Sequence, residues 1–372
     1  MWLGEIQLAD FRNYSQLQLG LKPGATLLHG ENGEGKTNLV ESIGFLSNME
    51  SHRPGQQKNL IRSGSNKATI SAKVNHGERS LLVAAEINSG EANRFYLNGK
   101  PQKRASDILG YLQAVIFAPE DLDIVRRDPS DRRSFLDNSL ALLRPAMASV
   151  KLDYDRVLKQ RNALLKSARG VKNPDLATLD IWDDQLVDLG SRITAARLEL
   201  ISQLAGPLQS FYSALAATDE QISLRLVSLS EDDAAKEIDR AQIAETLLTE
   251  LKENRNRELE RGLTLSGPHR DELLIEKDGF LARSHASQGE AWSLALGLKL
   301  ALAQLLRDGP GGDPILILDD VFAVLDPGRR KRLIEFVLSF EQVLVTAADR
   351  TGTPEIGWAA SFSVKGGELS AD

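Results

Sequence analysis

Short alternating or continuous runs of apolar residues fill the first hundred positions. Leu3 to Leu8, Gln16 to Leu19, Ala25 to Leu28, Thr69 to Val74, Ser80 to Ile87 and Arg94 to Leu97 each read as a strand. Asn98-Gly99 after the last of them supplies the residue pair of a tight hairpin turn. From about Ser134 to Arg261 the period changes to that of helices. Trp182, Leu186, Leu189, Ile193, Ala196, Leu200 and Leu204 recur at helical spacing, a buried stripe that reads as core packing rather than a cofactor contact. Breaks at Gly170 to Pro174 and at Gly206-Pro207 are expected to divide this stretch into several helices, giving a compact lobe. Strand-like runs return at Leu273 to Glu276, Ile315 to Leu318 and Gln342 to Thr346. The expected fold is therefore α/β, with a mixed sheet: a head formed by residues 1–133 and 262–372, split by a helical insertion at 134–261.

With 372 residues, 42% apolar and 26% charged, the chain has the composition of a globular protein and not of a disordered or fibrous one. No apolar run approaches the roughly 20 residues of a membrane span. Met1-Trp2-Leu3-Gly4-Glu5 does not begin a leader-like pattern, so a cytoplasmic location without membrane partners is expected. The absence of cysteine excludes disulfides, thiolate catalysis and zinc ribbons, and the five histidines show no ligand spacing. The net charge of −7 opposes nucleic-acid binding at first sight, but charge is unevenly distributed. Arg53, Lys58, Arg62, Lys67, Lys73, Arg79, Arg94, Lys100, Lys103 and Arg104 face only Glu78, Glu86 and Glu91 in the same segment. A surface contacting a phosphate backbone is expected there, with an ordinary solvated basic face as the other reading.

Gly30-Glu31-Asn32-Gly33-Glu34-Gly35-Lys36-Thr37 follows the run Ala25 to Leu28 and precedes the apolar-periodic segment Asn38 to Leu46. This is the strand, glycine loop and helix order of a phosphate-binding loop. Glycines allow backbone N–H groups to turn inward around phosphate oxygens, and the helix points its positive end at the same charge. Lys36 is placed to reach the β- and γ-phosphates and Thr37 to hold Mg²⁺, so a nucleoside triphosphate and Mg²⁺ are expected, with ATP the nucleotide that the family resemblance below implies. Ile315-Leu316-Ile317-Leu318 is a run suited to a strand buried on both faces, and it ends in Asp319-Asp320. Beside a phosphate loop, Asp319 would hold Mg²⁺ and Asp320 would orient the water that attacks the γ-phosphate.

Ala286-Ser287-Gln288-Gly289-Glu290 stands before a strong helix and forms a capping box by pattern. It also resembles the signature motif of ABC-type ATPases, and Phe322-Ala323-Val324-Leu325-Asp326 resembles their D-loop. That resemblance implies that Ser287 and Gly289 contact nucleotide held by a second copy, with Asp326 as the D-loop acid. Asp10-Phe11-Arg12-Asn13-Tyr14 resembles the N-terminal motif of SMC-like DNA-repair ATPases. Pro119-Glu120-Asp121, the segment Asp128 to Asp137, Ser266 to Leu273 and Asp319 to Asp326 are similar, in order and interval, to segments of the RecF family of bacterial recombination mediators.

The RecF resemblance implies a weak, DNA-dependent ATPase that dimerises on ATP and binds junctions between duplex and single-stranded gap. It further implies work with RecR and RecO to place RecA on single strands. Gly267-Pro268-His269-Arg270 acquires no role from either source. Arg127 departs from the family's usual Gly, and Val324 from an acid or His. Thr346 stands where transporter-type relatives place a histidine, and Asp320 is shorter than the usual Glu, so slow hydrolysis is expected. Two other classes fit less: a transporter ATPase has no use for the basic segment, and an SMC cohesion protein needs long heptad arms, which are lacking here.

Overall fold

The computed structural model describes residues 1–51, 57–171, 176–227, 239–350, 353–354 and 356–372. By its contacts the chain divides into two units, residues 1–122, 207–220 and 286–372 in one and 123–206 and 221–285 in the other. The divisions at 122/123 and 285/286 enclose more chain than the expected insertion at 134–261.

The first unit contains two six-stranded sheets. One has the order β2 (Tyr14–Gly20), β1 (Trp2–Phe11), β4 (Lys67–His76), β5 (Arg79–Asn88), β6 (Arg94–Leu97) and β7 (Lys100–Gln102), antiparallel throughout. Alternation is clean: Ala68, Ile70, Ala72 and Val74 of β4 and Val83, Ala85 and Ile87 of β5 are buried while intervening residues face outward. The β6–β7 turn carries Asn98 and Gly99 at φ of 50° and 76°, as their sequence predicts.

The other sheet has the order β15 (Glu368–Ala371), β14 (Ala360–Lys365), β3 (Gly24–His29), β13 (Gln342–Ala347), β12 (Ile315–Asp319) and β8 (Ala114–Phe117). From β14 to β8 every pairing is parallel, and β15 is antiparallel to β14. Strands β8, β12 and β13 are buried at every position, which explains why they carry no alternation. Strand β8 lies outside the strands that the sequence predicts, and it is placed by its pairing with β12. Helix α1 (Lys36–Asn48) touches strands of both sheets and is buried around nearly its whole circumference. Helices α8 (Gln288–Arg307) and α9 (Pro327–Val337) complete this unit.

The second unit begins within α2 (Leu122–Arg126) and holds α3 (Pro129–Leu143), α4 (Ala146–Ala168), most of α5 (Leu179–Ala216), α6 (Arg240–Arg261) and α7 (Ala282–His285). Leu186, Ile193, Ala196, Leu200 and Leu204 are buried along α5, with Trp182 and Leu189 half-buried. Val150, Tyr154 and Val157 of α4 and Leu247 and Leu251 of α6 pack with Leu186 and Ile193 in one core. This unit also has a three-stranded antiparallel sheet, β11 (Phe280–Leu281), β10 (Glu272–Lys277) and β9 (Ile222–Val227). Strand β9 lies in the stretch expected to be helical; its Ile-Ser-Leu-Arg-Leu-Val alternates with period two and pairs along its whole length with β10.

The break expected at Gly206-Pro207 does not occur, because α5 runs through Pro207 without interruption. A proline inside a helix costs about 3 kcal/mol through a lost donor and a clash one turn back. Beyond it Leu208, Tyr212 and Leu215 are each no more than 1% exposed, and burial of such side chains stabilises by roughly 2 kcal/mol apiece, enough to keep the backbone helical. Gly297 of α8 permits a close approach to that segment, since a Cβ there would lie 3.0 Å from Leu208 Cδ1. Of the break expected at Gly170 to Pro174, residues Lys172, Asn173 and Pro174 lie outside the described residues.

Candidate functional site: a phosphate cradle at the ends of parallel strands

The loop Gly30 to Gly35 leaves the C-terminal end of β3, two strands from the point where β12 ends in Asp319. Such strand ends are where open parallel sheets present backbone groups and helix N-termini to ligands. Gly30, Gly33 and Gly35 have φ of 154°, 90° and 119°, backbone accessible at low cost only to glycine. Space imposes the same choice. A Cβ at Gly30 would lie 2.2 Å from Val364 O, and one at Gly35 would lie 2.6 Å from Asn13 Nδ2 and 2.9 Å from Tyr14 OH. Glu31, Asn32 and Gly33 form the exposed crest of the loop.

Lys36 is 3% exposed and donates from Nζ to the carbonyls of Gly30 (2.6 Å) and Glu31 (3.0 Å). Thr37 Oγ1 donates to Asp319 Oδ1 at 3.2 Å, joining the loop to the acid pair. Thr346 Oγ1 donates to the same oxygen at 2.6 Å and accepts from the backbone N–H of Asp320 at 2.9 Å. The sequence marks Thr346 only as a replacement for histidine; its place at the end of β13, between β3 and β12, gives it this bridging role. Asp320 has φ of 52°, a strained conformation for a residue with a Cβ. Burial pushes the Asp319 carboxyl up to about 6, with the charges of Asp320 and Glu120 adding to the rise and the two threonine hydroxyls opposing it. Glu120, which follows β8, is thus a third carboxylate at this end of the sheet. It was not among the expected site residues, because only the placement of β8 beside β12 brings it there.

Neither Lys36 nor Asp319 has an ion-pair partner among the described residues, although both are almost wholly removed from water. An ammonium and a carboxylate held apart in this way fit a Mg²⁺–triphosphate, which would satisfy both. Gly30 to Thr37 would hold the phosphates, and Thr37 and Asp319 the cation.

The motif Asp10 to Tyr14 braces the loop from behind. Asn13 Nδ2 donates to Glu34 O (3.0 Å), Asn38 Nδ2 donates to Asn13 Oδ1 (2.8 Å), and Tyr14 OH donates to Gly35 O (3.0 Å). Arg12 donates from Nε and Nη2 to the fully buried carboxylate of Glu41 on α1, at 2.8 and 2.6 Å. Asp10 and Arg12, at the bend of this segment, take left-handed φ of 50° and 54°. The turn between β14 and β15 closes the other side, where Gly366 N donates to the Glu34 carboxylate and Gly367 N to Glu34 O (3.1 Å).

Ser287 caps α8 as its pattern predicts: Ser287 N donates to Glu290 Oε2 (2.7 Å) and Glu290 N to Ser287 Oγ (3.3 Å). Asp326 caps α9 and accepts from Arg329 N (3.0 Å) and Arg329 Nη1 (2.5 Å), which hold its carboxyl below the usual range. Among the described residues no hydrogen bond or ion pair links Ser287, Gly289 or Asp326 to the loop Gly30–Thr37 of the same chain. The phosphate loop and the acid pair are brought together by the fold, while the signature-like turn and the D-loop-like acid form a second, separate cluster.

Residues 2–357 match the family model described as RecF/RecN/SMC N terminal domain. The chain is 47% identical to the DNA replication and repair protein RecF of Clavibacter michiganensis subsp. michiganensis over 99% of its own length and 96% of that protein's. The chain belongs to the RecF family. It is also 44% identical to the RecF of Streptomyces avermitilis, over 99% of both chains. A solved structure described as the recombination mediator protein RecF-ATP in the RecFOR pathway superposes with a TM-score of 0.92 at 27% identity, over 100% of this chain and 97% of that one. An Smc head matches with a TM-score of 0.55 at 15% identity and shares the fold. Among the described residues, no helix is long and apolar enough to cross a membrane.

Of the ten basic residues in the segment 51–104, Arg53 lies outside the described residues and the other nine are exposed. Lys67 pairs with Glu86 at 3.2 Å, Arg94 with Glu91 at 3.4 Å and more loosely with Glu86 at 3.9 Å, and Arg62 with Asp10 at 3.6 Å. The register places Lys67 and Lys73 on the outward face of β4, while Arg79 begins β5 and Lys103 and Arg104 follow the end of β7. The positive surplus is therefore spread around a sheet rather than gathered in one spot.

Proposed function

We propose that this chain is an ATP-dependent DNA-binding protein of recombinational repair. In this reading it dimerises on ATP, binds junctions of duplex and single-stranded gap without base readout, and helps place RecA on the single strand with RecR and RecO. Slow hydrolysis releases the dimer. The observation that carries the ATPase part is the Thr37–Asp319 contact, which unites a glycine cradle and a buried carboxylate that no Lys or Arg among the described residues pairs with. The repair role rests on 47% identity, over nearly the whole chain, to a protein named for DNA replication and repair.

Each residue has a definite task in this reading. Lys36 binds the β- and γ-phosphates once they replace its carbonyl partners. Asp320, held by the Thr346 hydroxyl, orients the attacking water and accepts its proton. Thr37 and Asp319 would hold Mg²⁺, which would supply neutralisation of charge on the phosphates. Ser287 and Gly289 of the other copy, at the positive end of α8, bind the γ-phosphate, so nucleotide occupancy and association become one coupled equilibrium. The separation of the two clusters within one chain supports a site completed by a second copy.

Sedimentation with ATP and Mg²⁺ tests this. A dimer is expected with ATP and not with ADP; Ser287→Arg should abolish it while each copy still takes up nucleotide. On gapped duplex, Lys36→Met should lose ATP-dependent binding, and wild-type binding should fall steeply with salt. An ATP-independent oligomeric state, or DNA binding unchanged by Lys36→Met, would overturn the proposal.

A further inference from the structure

Asp326 and the start of α8 are joined through one side chain that no motif marks. Arg329, in the first turn of α9, grips Asp326 through its backbone N–H and Nη1, as described above, and donates from Nε to Ser293 Oγ at 3.0 Å. Ser293 is fully buried and donates in turn to Gly289 O at 3.1 Å. The guanidinium lies against Gly289 so closely that a Cβ there would meet Nη1 at 2.9 Å and Cζ and Nη2 at 3.0 Å. The neighbouring Arg330 donates from Nη2 to Phe322 O at 2.7 Å and fixes the backbone before Asp326. A planar guanidinium can bond a carboxylate and a hydroxyl on different elements at once, whereas a lysine ammonium cannot reproduce that fork. The glycine of the signature-like turn thus has a spatial reason within its own chain: it makes room for Arg329.

We propose that Arg329 is a positioning residue that locks Asp326 and the Ser287–Gly289 turn into a single preorganised surface for the triphosphate of a second copy. It acts through Asp326, Ser293 and Gly289 and need not touch phosphate itself. The proposal rests on the two-copy site put forward above. Fixing both elements before encounter removes an ordering cost from association, and a displacement of the order of 1 Å at such a surface can cost about 100-fold in rate.

The test uses the full chain as wild type, Arg329→Ala, Arg329→Lys, Ser293→Ala and Ser287→Arg. Each is measured for binding of a fluorescent ATP analogue, ATP-dependent self-association by sedimentation, steady-state hydrolysis and thermal melting. Arg329→Ala should bind nucleotide within about twofold of wild type, self-associate at least about tenfold more weakly, and lower kcat more than it changes KM. Arg329→Lys should recover only part of the association. Ser293→Ala opens the same lock with minimal risk to folding and should weaken association about threefold. Normal association in Arg329→Ala and Ser293→Ala, with loss in Ser287→Arg, would overturn the role of Arg329 and leave the two-copy site standing. Normal association in all variants would remove the two-copy site and this inference with it.

Discussion

Both units bury paired charges, as Arg12 and Glu41 show in the first, but the phosphate site of the first unit also buries charges that have no partner. Among the described residues of the second unit, every deeply buried charge meets its opposite. Arg161, fully buried, pairs with Asp183 at 2.6 Å and Glu258 at 2.8 Å, and donates to Thr264 Oγ1 at 2.9 Å. Arg197 pairs with Asp137 at 2.7 Å and Asp271 at 2.9 Å, and donates to Pro268 O at 2.7 Å. In the first unit, among the described residues, Lys36 donates only to carbonyls and the Asp319 carboxylate accepts only from hydroxyls. A buried charge with a partner organises a fold; a buried charge without one waits for a ligand. The contrast also gives Gly267-Pro268-His269-Arg270 a structural task. Gly267, at φ of 123°, leaves room for Tyr154 OH, which a Cβ would approach to 2.7 Å; Pro268 O serves Arg197; and His269 bonds Tyr154 OH (2.7 Å) and Thr264 O (3.2 Å). The segment is a joint in the second unit's polar core.

The sharpest way to break this comparison is to remove one charge from each unit. Arg197→Met leaves Asp271 buried without a cation and should destabilise by about 3–5 kcal/mol in denaturant unfolding. A loss under about 1 kcal/mol would show that the ion-pair network is incidental. Lys36→Met removes an unpaired charge and should change stability without ligand by no more than about 1 kcal/mol. It should also erase the gain of about 2.7 kcal/mol expected for wild type at ATP a hundred times its Kd. Equal destabilisation by the two substitutions would end the distinction.

A smaller effect should come from His269, whose burial pushes its pKa down to about 4, with neighbouring arginines acting in the same direction and the Thr264 carbonyl opposing. In the unfolded chain it titrates near 6.5, so between those values the unfolded state binds the extra proton. Stability is therefore complete above about pH 6.5 and declines as pH falls towards 4, by roughly 1–3 kcal/mol in all. His269→Gln should flatten that slope relative to wild type in melts from pH 7.5 to 5; an unchanged slope would assign it to other groups. The smallest effect is expected from Thr346→Val, which removes the hydroxyl bridging Asp319 and Asp320 at a stability cost of about 1 kcal/mol. Hydrolysis should fall about tenfold with nucleotide affinity nearly kept, and Thr346→Ser should restore it.

Local chemistry alone determined a good part of this protein. A glycine loop after a strand, an apolar run ending in two acids, a serine three residues before a glutamate and Asn-Gly between strands are each specified by neighbours a few positions away, and each is found where the sequence predicts. Contacts across hundreds of residues decided the rest. Thr346 and Glu120 enter the site because β13 and β8 flank β12, and Asn13 and Tyr14 brace the glycine loop because β1 and β2 carry them there. Pro207 stays helical because packing outweighs a local penalty, and β9 is a strand because β10 supplies its hydrogen bonds. Arg329 is one basic residue among many until α9 lays it against Gly289. Backbone preferences act through near neighbours along the chain, whereas burial and hydrogen-bond satisfaction depend on partners that only the folded chain assembles.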